Sequence, residues 1–393
     1  MEFRRLGASM VLNSVGMMGE NVVLGWLTLE LTNSPFMVGA ALSMRMLPLF
    51  FIGVPAGALA DAFPRHRLLM LTGLGQAVTS STLGVLVLLG IVTVPYVMGL
   101  TLVAGTLRGI EHAARQSYTH DVVGASALVS GLAILGVAMR SGWLLGSLGI
   151  GAVIGRFGSG IAYLVVASGF LIGGLVLATA KATPRAQTER TTSLWQSTRE
   201  FLVALRRERT LLVLMMLTAG AEILGFAHQA LLPSLARDVL HIGPEGLGAL
   251  NGARSVGGIL GLALAWARGA TGGLAFFLGV LVTFGGSLVV LGAAPYVVGL
   301  GGVLVVLTLV NACGALADLL AQSLLQLTAP KDLRGRAGGA WVVAIGLAPL
   351  GQLQIGALAS LFGVSLAFAT SGLTLVVLAV GTALLNRAAR RAV

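Results

Sequence analysis

Charged residues inside long apolar stretches are the features of this sequence that could do chemistry. Glu20 and Arg45 occupy the first two apolar stretches, and Glu222 and Arg254 occupy similar positions in the second half of the chain. A charge at the centre of a membrane-spanning helix costs roughly 2.5–3.5 kcal/mol on insertion scales, so each such residue needs a partner or a function. We therefore expect two acid–base pairs, Glu20 with Arg45 and Glu222 with Arg254.

A buried carboxylate that binds a proton and a substrate in turn would couple the movement of one to the movement of the other. Burial favours the neutral form of a carboxyl group, whereas a neighbouring arginine favours the charged form. Glu20 is the first candidate for this coupling role and Glu222 is the second. The alternative is that each glutamate belongs to a permanent structural ion pair.

Four further charged residues lie in apolar stretches. Arg108 and Glu111 are three positions apart and therefore share one helix face, where they can form a structural pair. Arg140 lies deep in the fifth stretch and has no acidic neighbour in sequence, so it must find an acid on another helix or bind an anionic substrate. Asp318 lies nearer the cytoplasmic side, where it either lines the same cavity or meets interfacial water.

Polar and aromatic side chains in the same stretches are candidates for lining a ligand cavity. A mostly apolar cavity with a few polar groups suits amphipathic ligands, although helix packing is the alternative for each residue. The candidates are Asn21, Trp26, Gln229, Asn251, Asn311 and Trp341.

Cofactor, metal and enzyme sites find no support in the residue pattern. The single cysteine, Cys313, excludes an intramolecular disulfide and a CxxC metal site, and the five histidines lack the spacing of metal ligands. The glycine-rich runs follow no strand and match no phosphate-binding loop. Because no nucleophile–base pair or metal cluster is found at membrane depth, we expect no cofactor, no metal and no enzymatic activity.

The elements that must position these residues are recurrent apolar segments. Hydrophobic residues make up 56% of the 393 residues and charged residues 10%, against roughly 25% charged in soluble proteins. A spanning helix needs about 20 mostly apolar residues. The sequence therefore predicts an all-α membrane protein with twelve transmembrane helices, at 8–30, 36–60, 67–90, 95–117, 127–153, 160–180, 210–235, 245–266, 272–294, 296–325, 337–361 and 364–386.

Positive charge is concentrated on one side of the predicted membrane. If both termini are cytoplasmic, most of the 25 lysine and arginine residues, Arg115 among them, fall on the cytoplasmic side, whereas the outer loops carry Arg156 and Arg237. This positive-inside bias predicts the orientation. It also explains the pI of about 11.2 by topology and contact with anionic lipid, without nucleic-acid binding.

A polar segment at 181–209 divides the chain into halves of six predicted helices each. Its second part is amphipathic and is expected to lie on the cytoplasmic membrane surface, with a disordered linker as the alternative. Short matches recur in the same order in both halves, and duplicated halves around a midplane site are a known transporter design. We expect two pseudo-symmetric six-helix bundles, at 1–180 and 210–393. The matched glycines are Gly146, Gly151 and Gly158 with Gly351, Gly356 and Gly363.

Two loop motifs carry a family resemblance. The loop after the second predicted helix contains Gly57, Leu59, Asp61, Arg65 and Arg67 in the order GALADAFPRHR. This motif resembles the signature loop of the major facilitator superfamily, a group of secondary transporters. The segment RGIEHAARQSYTHDVV, which begins at Arg108, is similar to the branch that contains siderophore and macrolide exporters.

The resemblance implies roles for particular residues. Gly57, Asp61 and Arg65 would form a conformational latch with the start of the eleventh helix, at Gly335 and Arg336, and hold the cytoplasmic side closed. Arg108 matches a position where the superfamily often has an arginine linked to proton transfer.

The expected function is that of a multi-pass secondary transporter in the bacterial inner membrane. It would export amphipathic small molecules in exchange for protons by alternating access, as a monomer whose partners are substrate, protons and lipid. The alternatives on the same fold are a lipid flippase and a non-transporting membrane receptor.

Overall fold

A computed structural model of the chain describes residues 2–123, 128–178, 209–267, 273–328 and 344–391. The described residues form eleven helices and contain no strand. The helices are α1 (Glu2–Thr32), α2 (Pro35–Ala62), α3 (Arg65–Leu88), α4 (Val94–Val123), α5 (Leu128–Ala178), α6 (Arg209–Gly220), α7 (Gly243–Ala267), α8 (Leu274–Val297), α9 (Gly299–Thr328), α10 (Ala348–Phe362) and α11 (Val364–Arg391).

Local sequence explains the limits of α2. Ser34 caps the first turn by accepting a hydrogen bond from the backbone N–H of Met37, and Pro35 occupies the first turn, where its missing N–H has no cost. The helix ends beside Pro64, because a proline disfavours helical geometry in the residue before it, here Phe63.

Helix α5 combines two of the predicted spans in one 51-residue element. Gly158 interrupts it with a φ of 79° and a ψ of 171°, a conformation open to glycine because it has no Cβ. Before Gly158, Gly142 lies against Ser14 of α1; after it, Gly173 lies against Leu12 of the same helix. The chain therefore reverses at Gly158 without a loop, which is why the described residues contain eleven helices and not the expected twelve.

The chain after α6 departs from regular α geometry. Ala221–Gly225 and Leu235–Val239 are π-helical, Phe226–Leu231 is 3₁₀-helical, and a single α turn at Leu232–Ser234 separates them. π turns inside helices are rare and often mark functional sites. The seventh predicted span thus exists, but its residues face other directions than a regular helix would give.

Helix length and composition fit a membrane protein. Among the described residues, seven helical segments are long and apolar enough to cross a membrane. The 45-residue segment Ile134–Ala178 would measure about 67 Å as a straight helix, more than twice the roughly 30 Å of a bilayer core.

The chain divides into two compact units, and each has its own glycine-mediated packing. The described part of the first unit comprises α1–α5 and His241–Gly252. In this unit Gly146 of α5 lies against the backbone of Val15 in α1, where a Cβ would come closer than 3.0 Å to the Val15 carbonyl oxygen. Small residues let helices in lipid approach closely, and this contact shows that effect.

The second unit repeats this arrangement. Its described part comprises α6 with the irregular turns that follow, the rest of α7 from Ala253, and α8–α11. Gly351 of α10 lies against the backbone of Ile223, as Gly146 does against Val15. Gly363 between α10 and α11 has a φ of 87°, close to that of Gly158. The predicted linker at 181–209 lies outside the described residues except for Arg209.

Candidate functional site

Glu20 is the centre of a buried charge cluster in the first unit. Its carboxylate lies 3.0 Å from Arg45 Nη2 of α2 and 2.9 Å from Arg108 Nη2 of α4. Glu20 is 4% exposed and Arg45 is 7% exposed. The structure thus brings Glu20 and Arg45 together, and it adds Arg108, so that one carboxylate joins three helices.

Arg45 is held firmly against α1. Its Nη1 donates to Asn21 Oδ1 at 3.1 Å and its Nη2 donates to the carbonyl of Met17 at 2.8 Å, in addition to the bonds to Glu20. Asn21, predicted to line a cavity, therefore orients an arginine. Two guanidinium groups share one carboxylate, which leaves one positive charge in excess.

A second buried cluster surrounds Glu111. This carboxylate accepts hydrogen bonds from Asn13 of α1, from Gln76 of α3 at 2.8 Å, and from Arg115 Nη2 of α4 at 2.5 Å. Arg115 was expected among the cytoplasmic charges. In the structure, α4 continues to Val123 and the Arg115 side chain is 11% exposed, and its place on the cytoplasmic side stays a prediction.

Arg108 and Glu111 do not form the pair that their shared helix face suggested. The two residues do lie on one helix, but Arg108 pairs with Glu20 and Glu111 pairs with Arg115. The spacing of Glu111 and Arg115, four positions apart, is the sequence signal that could have identified this pair. Arg140 of α5 lies over the ring of Trp143, 5.9 Å from the centroid, as a cation–π contact.

The buried glutamate of the second unit has different surroundings. Glu222 lies in the π-helical turn, is 8% exposed, and forms no hydrogen bond or ion pair with any residue that the structure describes. The expected ion pair between Glu222 and Arg254 is absent among the described residues.

His228 was not identified by sequence reasoning, because no metal-ligand spacing surrounds it. It is fully buried, and its Nδ1 lies 2.7 Å from the carbonyl of Gly225, which can only accept. Nδ1 is therefore the protonated nitrogen, and Nε2 faces Asn311 Nδ2 at 3.4 Å as an acceptor. The amide of Asn311 also donates to the carbonyl of Leu307 at 2.9 Å. The irregular winding that frees the Gly225 carbonyl is not visible in an apolar pattern.

The other cavity candidates have local partners or lie outside the described residues. Trp26 Nε1 donates to Glu30 at 2.6 Å, and Asn251 donates to the carbonyl of Leu247 at 3.0 Å in its own helix. Gln229 is half-buried. Trp341 lies outside the described ranges.

The predicted latch cannot be located from the described residues. Gly335 and Arg336 lie outside them, and although Gly57 and Asp61 belong to α2, their side chains are not described. Arg65, in the first turn of α3, is buried. The latch stays a prediction. No group of three or more potential metal ligands occurs in the described part of the chain.

Three solved structures share this architecture. The nucleoside transporter NupG, in a mutant form, matches with a TM-score of 0.81 at 13% identity, covering 97% of this chain and 98% of its own. A bacterial homologue of the human lysosomal transporter Spinster, inward-facing and occupied, matches at 0.74 and 14% identity, with 99% and 96% covered. The peptide transporter POT in complex with alafosfalin matches at 0.74 and 16%, with 96% and 92% covered. At these identities the likeness shows the fold.

No curated protein matches this sequence. The sequence profile of a family described as "transmembrane secretion effector" matches residues 1–391, which is nearly the whole chain. The apolar helices and the family together identify a multi-pass membrane protein that is a transporter and is of no enzyme family. The chain therefore belongs to the transmembrane secretion effector family of the major facilitator superfamily.

Proposed function

We propose that the protein is a secondary active transporter that exports amphipathic small molecules of drug, macrolide or siderophore type in exchange for protons. The observation that carries this proposal is the pair of buried carboxylates in different surroundings: Glu20 lies between two arginines, and Glu222 has no basic partner in the described part of the chain. A carboxylate at membrane depth has a cost that a transport function explains.

The geometry favours an order of roles opposite to the one expected from sequence. Glu20 is held by Arg45 and Arg108, so a ligand that took their place at its Oε2 would have to displace both arginines. Glu222 can bind a proton or a cationic ligand without breaking an ion pair to any residue that the structure describes. We therefore assign the exchanged charge to Glu222, with Glu20 as the residue that reorganises when the bundle changes conformation.

The names of the structural neighbours support a small-molecule substrate. They are described as nucleoside and peptide transporters, and one peptide transporter holds alafosfalin. The description of the family as a secretion effector supports export. The branch of siderophore and macrolide exporters, a bacterial inner-membrane location with both termini cytoplasmic, a monomeric state and the absence of a cofactor belong to the same proposal.

Twelve membrane crossings are part of the proposal. The reversal of α5 at Gly158 supports two crossings within this one element, because its two parts lie against the same level of α1. Added to the other ten helices, this gives twelve crossings.

Transport by reconstituted protein tests the proposal. Proteoliposomes with an imposed pH gradient should accumulate a fluorescent amphiphile, and Glu222→Gln should remove the dependence of uptake on the gradient. Asp238→Asn is the matched control, because Asp238 follows Glu222 in the same irregular segment but is exposed and pairs with Arg237. Accumulation that is independent of the gradient in wild-type protein would contradict proton exchange. Movement of fluorescent lipid alone would instead indicate a flippase.

A further inference from the structure

We infer that His228 is a positioning residue of the transport cycle. Its imidazole holds the run Phe226–Leu231 in 3₁₀ form, and its release lets this run wind into a regular α-helix and turn the chain that follows. The inference rests on the proposed transport function and adds to it the residue that controls how the irregular segment after α6 changes conformation.

The first observation is the length of the 3₁₀ run. Phe226–Leu231 comprises six residues, whereas 3₁₀ runs longer than three or four residues are uncommon, and a 3₁₀ stretch inside a helix often marks a hinge. Each residue turns the chain by about 120° in a 3₁₀-helix and by about 100° in an α-helix. Conversion of the whole run to α form would therefore rotate the following chain by roughly 120° and shorten the run by about 3 Å.

The second observation is the bond that His228 makes within this winding. Its Nδ1 donates at 2.7 Å to the carbonyl of Gly225, three positions earlier. The side chain thus adds a bond across the same interval that the backbone of a 3₁₀-helix uses. In an α-helix the carbonyl of Gly225 would instead accept from the backbone N–H of Gln229. The imidazole therefore favours the 3₁₀ form at its junction with the preceding π turn.

The third observation is the anchorage of the ring to two other helices. His228 is fully buried, and its Nε2 faces Asn311 Nδ2 of α9 at 3.4 Å. Its ring meets Phe284 of α8 edge-on, with ring centroids 6.5 Å apart at 89°. Asn311 is oriented by its own bond to the carbonyl of Leu307 at 2.9 Å. The ring therefore fixes the rotation of the 3₁₀ run relative to α8 and α9.

The fourth observation is that the π turn before the run is held by other contacts. A Cβ on Gly225 would come closer than 3.0 Å to the ring of Phe284. The backbone of Ile223 packs equally closely against Gly351 of α10. These contacts hold the turn that carries Glu222 against α8 and α10. Rewinding of the run therefore moves the chain after it relative to Glu222, and His228 determines which arrangement is present.

Transport of ethidium, a fluorescent amphiphile, by matched variants in proteoliposomes tests the inference. His228→Phe keeps a ring beside Phe284 but can neither donate nor accept a hydrogen bond. It should lower the maximal rate about fivefold, the scale of one buried hydrogen bond, with KM little changed, because one of two conformations then predominates. His228→Gln can still donate and accept and should restore most of the rate. Asn311→Leu removes the contact to α9 and should lower the rate as His228→Phe does.

A distance measurement in detergent tests the same inference without transport. Spin labels would be attached at Met216→Cys in α6 and at Asp238→Cys beyond the run, both of which are exposed sites. Cys313→Ser is the background, since Cys313 is the single native cysteine. His228→Phe should shift the distance distribution toward shorter values, by about 3 Å for the run itself. His228→Gln should leave the distribution near that of the parent protein.

Several outcomes would overturn the inference. An unchanged distance distribution in His228→Phe would do so even if transport is lost, because the imidazole would then not hold the winding. Equal losses in His228→Phe and His228→Gln would show that hydrogen bonding is not what matters. If His228→Phe fails to fold, Asn311→Leu replaces it in both measurements with the same expected direction. If wild-type protein moves no ethidium, the distance measurement alone decides. The expected distance change together with transport that ignores the pH gradient would contradict the proposed proton exchange alone.

Discussion

The two units place polar clusters at corresponding positions but fill them with different chemistry. Glu20 follows Val15 by five positions, and His228 follows Ile223 by five; Val15 and Ile223 are the residues against which Gly146 and Gly351 pack. By this packing, His228 and not Glu222 is the counterpart of Glu20. Asn311 lies 3.4 Å from the His228 ring, as Arg108 lies against Glu20.

The same comparison extends one turn further along each helix. Glu111 lies three positions after Arg108, and Gly314 lies three positions after Asn311; Arg115 and Asp318 lie seven positions after the same two residues. The first unit therefore has the ion pair of Glu111 and Arg115 at the positions where the second unit has Gly314 and Asp318. When Val15 is aligned with Ile223, Glu222 lies one position after the residue that corresponds to Asn13.

This difference distinguishes the structural role of the buried acids in the first unit from the transport role that we propose for Glu222 in the second unit. In the first unit, Glu20 accepts bonds from arginines of α2 and α4, and Glu111 accepts bonds from α1 and α3 as well as from Arg115 of its own helix, which ties α1, α2, α3 and α4 together. In the second unit, Glu222 is buried, and no basic residue in the described part of the chain forms an ion pair with it. A buried carboxylate that stays in an ion pair stabilises the helix bundle. A buried carboxylate that pairs with a ligand during part of the cycle can drive transport.

The largest effect is expected at Glu111. Glu111→Gln leaves Arg115 buried without its carboxylate, and breaking a buried ion pair in this way typically costs about 3–5 kcal/mol. Thermal unfolding in detergent should show a large fall in stability. Removal of the exposed Asp238–Arg237 pair by Asp238→Asn should change stability by less than about 1 kcal/mol. Unchanged stability of Glu111→Gln would show that this cluster is not structural.

Substitution of Gly146 and of Gly351 should lower stability to a similar extent, since the two glycines pack against corresponding backbone positions in their units. In Gly146→Ala and in Gly351→Ala the new Cβ would meet the backbone of Val15 or Ile223 at less than 3.0 Å. Overpacking of this kind costs about 1–3 kcal/mol. Gly279→Ala in α8 is the control, because no atom lies near a Cβ there and alanine favours a helix. A fall in stability in one unit only would break the structural correspondence.

Sequence patterns predicted part of this comparison. Apolar length identified the spans, and depth in the bilayer brought Glu20 and Arg45 together, because both lie on regular helices. The same reasoning was wrong for Arg254, since the π and 3₁₀ turns after α6 rotate the chain between Glu222 and His228. It also did not predict the bonds that Asn13 and Gln76 donate to Glu111, because no local pattern contains contacts between distant helices.

Glu222→Gln should affect stability in the opposite sense to Glu111→Gln. No described residue donates a hydrogen bond to this carboxylate, so the amide loses no hydrogen bond within the described part of the chain. We expect a stability within about 1 kcal/mol of wild type, or above it. The measurement is thermal unfolding without ligand. A loss as large as that of Glu111→Gln would show that Glu222 has a structural partner and would remove the contrast between the units.

The smallest effect is expected at Tyr163, which tests whether the first unit is scaffold throughout. Tyr163 is fully buried, its hydroxyl has no hydrogen-bond partner among the described residues, and it lies near enough to be influenced by Glu20 and Arg45. Tyr163→Phe removes the hydroxyl alone, so stability should change by less than about 1 kcal/mol. If transport is also unchanged, the Tyr163 hydroxyl takes no part in the reorganisation around Glu20. If transport slows while stability holds, the hydroxyl forms a bond during the cycle that this structure does not contain.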